Sequence, residues 1–392
     1  MLDEAARLDN HHTGSDGSLQ LASFWIKSCV KTHDRCRIAI SSRSSPFLPT
    51  RLLDVSNDMV RLIESEIDIG AQVDRFYLAL SHCWGLKSII RTVKENYEQH
   101  RKCVPPEKMS KTFRDAIHTT RTLGFRYIWI DSMCIIQDDS NDWAAEAATM
   151  CDVYRYALLT IAAAHAPGGD VGCFHERDGL LNLPFYMDVP SQAGSGTLFR
   201  LHFITYGRPQ PKDVGGGDPA LYGRAWVLQE QLLSPRMLIF DSVQLRWECI
   251  TLHGSEKTPT SGNTRHSSSH KCVRSDFASK MKHQHWRSIV MEYTHRGMTQ
   301  PSDRLAALAG VGQALARHTK HAYLAGLWSD YFHIGLLWGI SHNSKFIMNA
   351  TTNFDIEGNK HIRHKQPLAP SWSWASVTAP VMYEVQDLTN IE

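Results

Sequence analysis

The chain has 392 residues, with 42 Lys and Arg against 40 Asp and Glu, a formal charge of +2, 42% apolar residues and 21% charged ones. This length excludes one ordinary small domain, and the composition excludes a wholly disordered or fibrous chain. The near-cancelled charge gives no global electrostatic case for nucleic acid or an anionic membrane as partner. No stretch approaches the roughly 18 unbroken apolar residues of a membrane helix. The opening MLDEAARLDNHHTGSDG is acidic and polar, unlike a secretory or mitochondrial leader, so the expected location is the cytoplasm. Nine cysteines occur without a CxxC pair, which points to reduced thiols rather than a disulfide scaffold or a zinc ribbon.

In chain order, residues 1–20 read as a polar, mobile tail. Residues 21–37 carry apolar and basic residues at helical spacing, and 51–70 read as two short strands around the turn-like Ser56-Asn57-Asp58. FYLALS (76–81) reads as a buried strand. Residues 110–123 form a helix with Ser110 as N-cap and Gly124 as stop. FRYIWID (125–131) is a second strand, the alanine-rich 141–156 a second helix and ALLTIAAA (157–164) a third strand. This alternation is the βαβ signature of a parallel sheet covered by helices. Beyond it, 207–219 reads as a loop, 223–234 as a helix and 236–249 as a hairpin turning at Asp241-Ser242. The stretch 254–271 is polar and low in complexity, expected to be mobile. Residues 301–338 read as helical, capped by Ser302 or Asp303, and APSWSWASV (369–377) as an alternating aromatic strand.

Open α/β sheets bind ligands where the C-terminal ends of parallel strands meet a crevice. That rule brings Ser81, His82, Asp131, Ser132 and His165 to one edge, with Trp84 beside them. Ser81 and His82 are adjacent on a strand, point to opposite faces and cannot pair as a catalytic dyad. Glu146 follows Asp142 by one helical turn, so the two carboxylates share a face and can raise one another's pKa, as an acid or base requires. Acids in a first helical turn also favour the macrodipole, which accounts for Asp138, Asp139 and Asp142 but less well for the deeper Glu146. His283-Gln284-His285 and Cys249-x3-His253 are the spacings nearest to metal ligation. Neither has a second pair nearby, and no metal site is expected. There is no GxGxxG after a strand and no GxxxxGK[ST], which argues against an ATPase or a typical dinucleotide oxidoreductase. The eleven tryptophans read mainly as core, with a stacking platform for a planar ligand as the minority alternative.

The runs LALSHCWG (78–85), TFRDAIHTTRTLGFRYIWIDSMCIIQDDSNDWAAEAATMCDVYRYALLTIAA (112–163), RAWVLQEQLLSPRMLIF (224–240) and QLRWEC (244–249) resemble the fungal heterokaryon-incompatibility (HET) domain. PSDRLAALAGVG, LAGLW and APSWSWAS are similar to blocks found downstream in many members. The resemblance implies a HET domain over 71–250, set between the N-terminal helix and hairpin over 21–70 and, by pattern, a polar loop over 251–280 and a helical region over 281–392 that ends in the aromatic strand. It implies an α/β fold, a TIR/flavodoxin-like parallel sheet flanked by helices, with an α+β C-terminal elaboration. It also implies incompatibility cell death and, through distant TIR relatives that cleave NAD with one glutamate, a NAD glycohydrolase that needs no cofactor and takes NAD as substrate. Trp143-Ala144-Ala145-Glu146 looks like the stretch carrying that glutamate. On this reading Glu146, Asp131 and His82 are catalytic. Ser81, Trp84, Ser132, His165, Arg224, Gln229 and Glu230 bind substrate or lock the helix to the sheet. Members usually carry an aromatic residue where His82 stands, and no sensor domain is attached here. Two further readings therefore stand beside the first: a secondary-metabolism enzyme, such as a cyclase or isomerase acting on a small natural product, and a non-catalytic scaffold that signals by self-association.

Overall fold

The computed structural model describes residues 10–41, 47–69, 75–178, 185–190, 198–203, 219–260, 283–317, 321–341, 363–364 and 366–383. Two helices, α1 (Asp16–Thr32) and α2 (Asp34–Ser41), precede the hairpin β1 (Arg51–Asp54) and β2 (Arg61–Glu64). The α/β unit follows: β3 (Tyr77–Ser81), α3 (Tyr97–Lys102), α4 (Lys111–Thr122), β4 (Tyr127–Trp129), α5 (Asp131–Cys134), α6 (Ser140–Tyr156) and β5 (Leu159–Ala163). A separate hairpin, β6 (Phe185–Pro190) with β7 (Leu198–Phe203), comes next. Then come α7 (Ala225–Leu233), β8 (Arg236–Phe240), β9 (Leu245–Cys249) and β10 (His253–Ser255). The remaining elements are α8 (His283–Thr294), α9 (Ala306–Ala316), the short pair β11 (Tyr323–Leu324) and β12 (Leu327–Trp328), α10 (Phe332–Gly335), and β13 (Trp338–Ile340) paired with β14 (Val381–Tyr383).

The local chemistry of the βαβ unit follows its sequence. Ser110 caps α4, its hydroxyl accepting from Phe113 N at 3.3 Å, which satisfies one of the free N–H groups of the first turn. Gly124 adopts φ +83°, a left-handed conformation that ends the helix and turns the chain into β4. Strands β3, β5 and β8 are buried along their whole length, as expected of parallel strands covered on both faces.

One sheet of eight strands has the order β10-β9-β8-β5-β3-β4-β1-β2. The pairs β4–β3, β3–β5 and β5–β8 are parallel, and antiparallel hairpins extend both edges. Numbered by their place in the chain, the four parallel strands lie in the order second, first, third, fourth, which is the flavodoxin-type order. The topological switch falls between β3 and β5, where Ser81 pairs with Ala162. The C-terminal region shares one continuous core with the sheet: Val311, Leu315 and Trp374 belong to the same buried cluster as Leu78 and Ile161. Its helix α9 packs on α6 and α7. The contact is tight at Gly310, whose N–H donates to Gln229 Oε1 at 3.1 Å and where a Cβ would collide with Cys151.

Several sequence expectations need correction. Residues 10–20 are packed, not a free tail. Ser15 caps α1, and Ser18, which is fully buried, donates to Glu256 Oε1 at 2.7 Å. Residues 253–255 form an edge strand and Glu256 is buried, so the polar loop starts later; 261–282 lie outside the described residues, as do 1–9 and most of 207–219. Residues 301–338 are a 3-10 turn and α9 followed by short strands. Asp303 is no cap but accepts from Trp226 Nε1 at 3.2 Å. The aromatic stretch 369–377 is a turn and a 3-10 helix rather than a strand. Ser373 caps that helix by accepting from Ala375 N at 3.0 Å, and Trp374 donates to Gly326 O.

Candidate functional site

Ser81 ends β3, and the chain leaves the sheet there. As strand geometry requires, Ser81 and the next residue face opposite sides. The fully buried Ser81 hydroxyl meets Glu230 of α7, which also faces the Tyr154 phenol of α6. His82 packs edge-on against Phe113 of α4, with ring centroids 5.2 Å apart. Its Nε2 lies 3.8 Å from Asp131 Oδ1. Asp131 opens α5 at the end of β4, accepting from Trp84 Nε1 at 2.8 Å and from Ser132 N at 2.7 Å. The Arg224 guanidinium, at the N-cap of α7, donates to the His82 carbonyl. Ser81, His82, Trp84, Asp131, Ser132, Arg224 and Glu230 are thus drawn to the C-terminal edge around the switch point. The Ser81 and Ser132 hydroxyls, His82 Nε2 and Glu230 Oε2 are buried there with no hydrogen bond of ordinary geometry.

Burial sets the electrostatics of this edge. Glu230 loses hydration and is pushed up to about 7; Asp131 adds to the rise, while the Ser81 hydroxyl, Arg224 and Tyr154 oppose it. Burial also drives the Tyr154 phenol well above its usual range. Burial lowers the pKa of His82 despite the opposing charge of Asp131, so its imidazole is neutral at pH 7. A carboxyl poised near neutrality among fixed dipoles can exchange a proton under physiological conditions.

The other expected residues make different contacts. Gln229 holds α7 to α9 through Gly310, a structural contact. His165 meets His175 with centroids 4.9 Å apart. Glu146 and Asp142 do share a face of α6, and both engage Arg51 of β1. The guanidinium lies 2.6 Å from Asp142 Oδ2 and 3.4 Å from Glu146 Oε1. Arg51 Nε donates to Cys134 O at 2.7 Å. Burial raises the pKa of Glu146 against the opposing effects of Thr50 and Arg51, and its Oε2 is buried without a partner. Two carboxyl clusters therefore flank Cys134, one around Arg51 and one at the switch point. Tyr154 and Arg51 were not singled out from the sequence: their roles depend on partners 74 and 95 residues away.

A separate pocket lies in the C-terminal region, lined by Trp286, Arg287, Trp328, Tyr383 and the His321–Asp330 pair. His321 Nε2 is 3.4 Å from Asp330 Oδ2.

The geometry is that of a flavodoxin-ordered α/β domain with a buried polar cluster at its switch point. Residues 77–230, from the first residue of β3 to Glu230, match the family model described as Heterokaryon incompatibility protein (HET). Residues 77–230 therefore form a HET domain within the chain. Neither a curated protein nor a solved structure matches the chain. Among the described residues, no helix is long and apolar enough to cross a membrane.

Proposed function

We propose that the HET domain is a NAD glycohydrolase working at the switch-point polar cluster. The observation that carries this reading is Glu230, a fully buried carboxyl held at the strand ends beside Ser81, Tyr154 and Arg224. Water attack at the ribose carbon breaks the bond to nicotinamide and yields ADP-ribose, nicotinamide and one proton. An ionised Glu230 would accept that proton and, before it, offset the positive charge of the oxocarbenium-like transition state. Ser81 and Asp131 would orient the ribose, and Trp84, bonded to Asp131, would pack beside it. Both roles of Glu230 need the anion, so the rate should rise with pH through about 7.

The test is nicotinamide release from NAD by the purified chain. Glu230→Gln should lower release by about a hundredfold or more, the usual contribution of a positioned base, while Glu146→Gln should leave most of it. Loss in Glu146→Gln alone would move the chemistry to the Arg51 cluster. No release from wild type at any protein concentration would overturn the NAD reading. One observation favours a second reading, an enzyme acting on a small natural product: the pocket at Trp286, Trp328 and Tyr383 offers aromatic walls and a His–Asp pair. Planar aromatic probes that quench tryptophan fluorescence in wild type and not in Trp328→Ala would support it.

A further inference from the structure

Three cysteines and one histidine that are scattered in sequence converge between the N-terminal helices and the sheet edge. Cys29 lies on the last turns of α1. His33 is the extended hinge between α1 and α2, with φ −93° and ψ 94°. Cys36 lies on α2, folded back by that hinge, and Cys249 ends β9. One ligand atom from each, three sulfurs and a ring nitrogen, all fall within 4.8 Å of one another. The Cys249 sulfur is 3.4 Å from His33 Nδ1. In a tetrahedral zinc site with Zn–S near 2.3 Å and Zn–N near 2.0 Å, neighbouring ligand atoms stand about 3.5–3.8 Å apart. The observed spread needs only a small contraction to meet that. The three cysteines are buried and their thiols are free.

A second observation points the same way. Arg236, the first residue of β8, has no exposed surface. Its Nε donates to the Cys29 sulfur at 3.2 Å, and its two terminal nitrogens donate to the carbonyls of Leu158 and Cys36. Among the described residues no carboxylate pairs with it. A buried guanidinium calls for a compensating anion. Three thiolates and a neutral imidazole around a divalent cation carry one net negative charge, which supplies it. The backbone N–H of Leu252 also donates to the Cys249 sulfur, at 3.2 Å. Such N–H···S bonds orient ligating thiolates and offset their charge.

We propose that Cys29, His33, Cys36 and Cys249 bind a structural zinc ion. Binding releases the thiol protons and leaves four protein ligands with no open position, so the ion fixes the fold rather than acting in chemistry. It would staple α1 and α2 to β9, joining segments more than 200 residues apart in sequence. The absence of CxxC hides the set, because the first three ligands follow a C-x3-H-x2-C spacing across a helical hinge and the fourth arrives only through the fold.

The test is metal analysis of the full chain purified under reducing conditions without added metal, followed by cobalt exchange. Wild type should carry one zinc ion per chain. Cobalt should give a thiolate-to-metal charge-transfer band and the intense visible bands of a tetrahedral site. Zinc content should fall at least tenfold in Cys36→Ser and in Cys249→Ser. Loss of a ligand can also weaken the fold, so the wild-type zinc content and cobalt spectrum are read on their own. Wild type without zinc and without a cobalt charge-transfer band would overturn the proposal. So would a mass showing a disulfide among these cysteines in the reduced preparation, or zinc that persists undiminished in both variants.

Discussion

Glu230→Gln should stabilise the protein at alkaline pH. The carboxyl is raised from 4.5 to about 7 in the folded chain, chiefly by burial. Between those values the unfolded chain has already released the proton and the folded chain still holds it. The folded state then binds more protons than the unfolded one, so stability falls as pH rises through this window and levels off above about 7. The full shift corresponds to about 3 kcal/mol of stability lost between mildly acidic and mildly alkaline solution. Glutamine has nearly the same shape and no charge to bury. Relative to wild type, the variant should therefore gain about 3 kcal/mol on moving across the window, whatever its absolute stability at low pH. Urea unfolding of both proteins at a series of pH values measures this, and taking the difference cancels every other titrating group. A difference that stays flat across the window would mean that Glu230 ionises as freely as a surface acid. The switch-point base would then lose its physical ground.

Three further outcomes test the architecture around the site. Arg51→Met leaves the half-buried Asp142 and the buried Glu146 carboxylates without their shared cation and should cost about 3–5 kcal/mol in urea unfolding; a loss below about 1 kcal/mol would show the cluster to be well solvated. Gly310→Ala places a methyl against Cys151 and the Gln229 amide, so it should destabilise by about 1–3 kcal/mol and loosen α9 from α7, read as faster amide exchange of the Gly310 N–H. Ser110→Ala removes the cap of α4 and should cost about 1 kcal/mol with little effect on nicotinamide release.

The parallel strands were legible because their signal is local. Residues 77–81, 127–129 and 159–163 are short apolar runs bounded by a cap, a glycine or a helix of clear period. The hairpin at β8 and β9 announced itself through Asp241-Ser242. Strand order was not legible, since the switch between β3 and β5 depends on which strands pair across some 80 residues of chain. The N-terminal misreading has a similar cause. Asn10 and Ser18 read as solvated residues until Arg177 and Glu256 arrive from far along the chain to bond them, with Ser15 bonded to both. At 369–377 the alternation of serine and tryptophan mimics a strand. There Ser373 bonds Ala325 O and Ala375 N, and Trp374 joins Trp286 on the single carbonyl of Gly326. A period of two cannot distinguish hydrogen-bonded turn serines from the solvent face of a sheet.

The same limit explains why helical spacing draws attention to Glu146 and not to Glu230. Helical spacing sees partners one turn away, so it found Asp142 beside Glu146 and inferred a carboxylate pair. It could not see Arg51, which reaches in from an antiparallel strand and offsets much of the charge that such a pair would share. Glu230 has no helical neighbour to draw attention to it. Its environment is assembled by Ser81 from one strand, Tyr154 from another helix and the burial that α9 completes over α7. Among the described residues no ion pair closes on it. An acid kept buried and unpaired costs the fold stability that an isosteric amide would return. Such a cost is what the proton chemistry proposed for Glu230 would require.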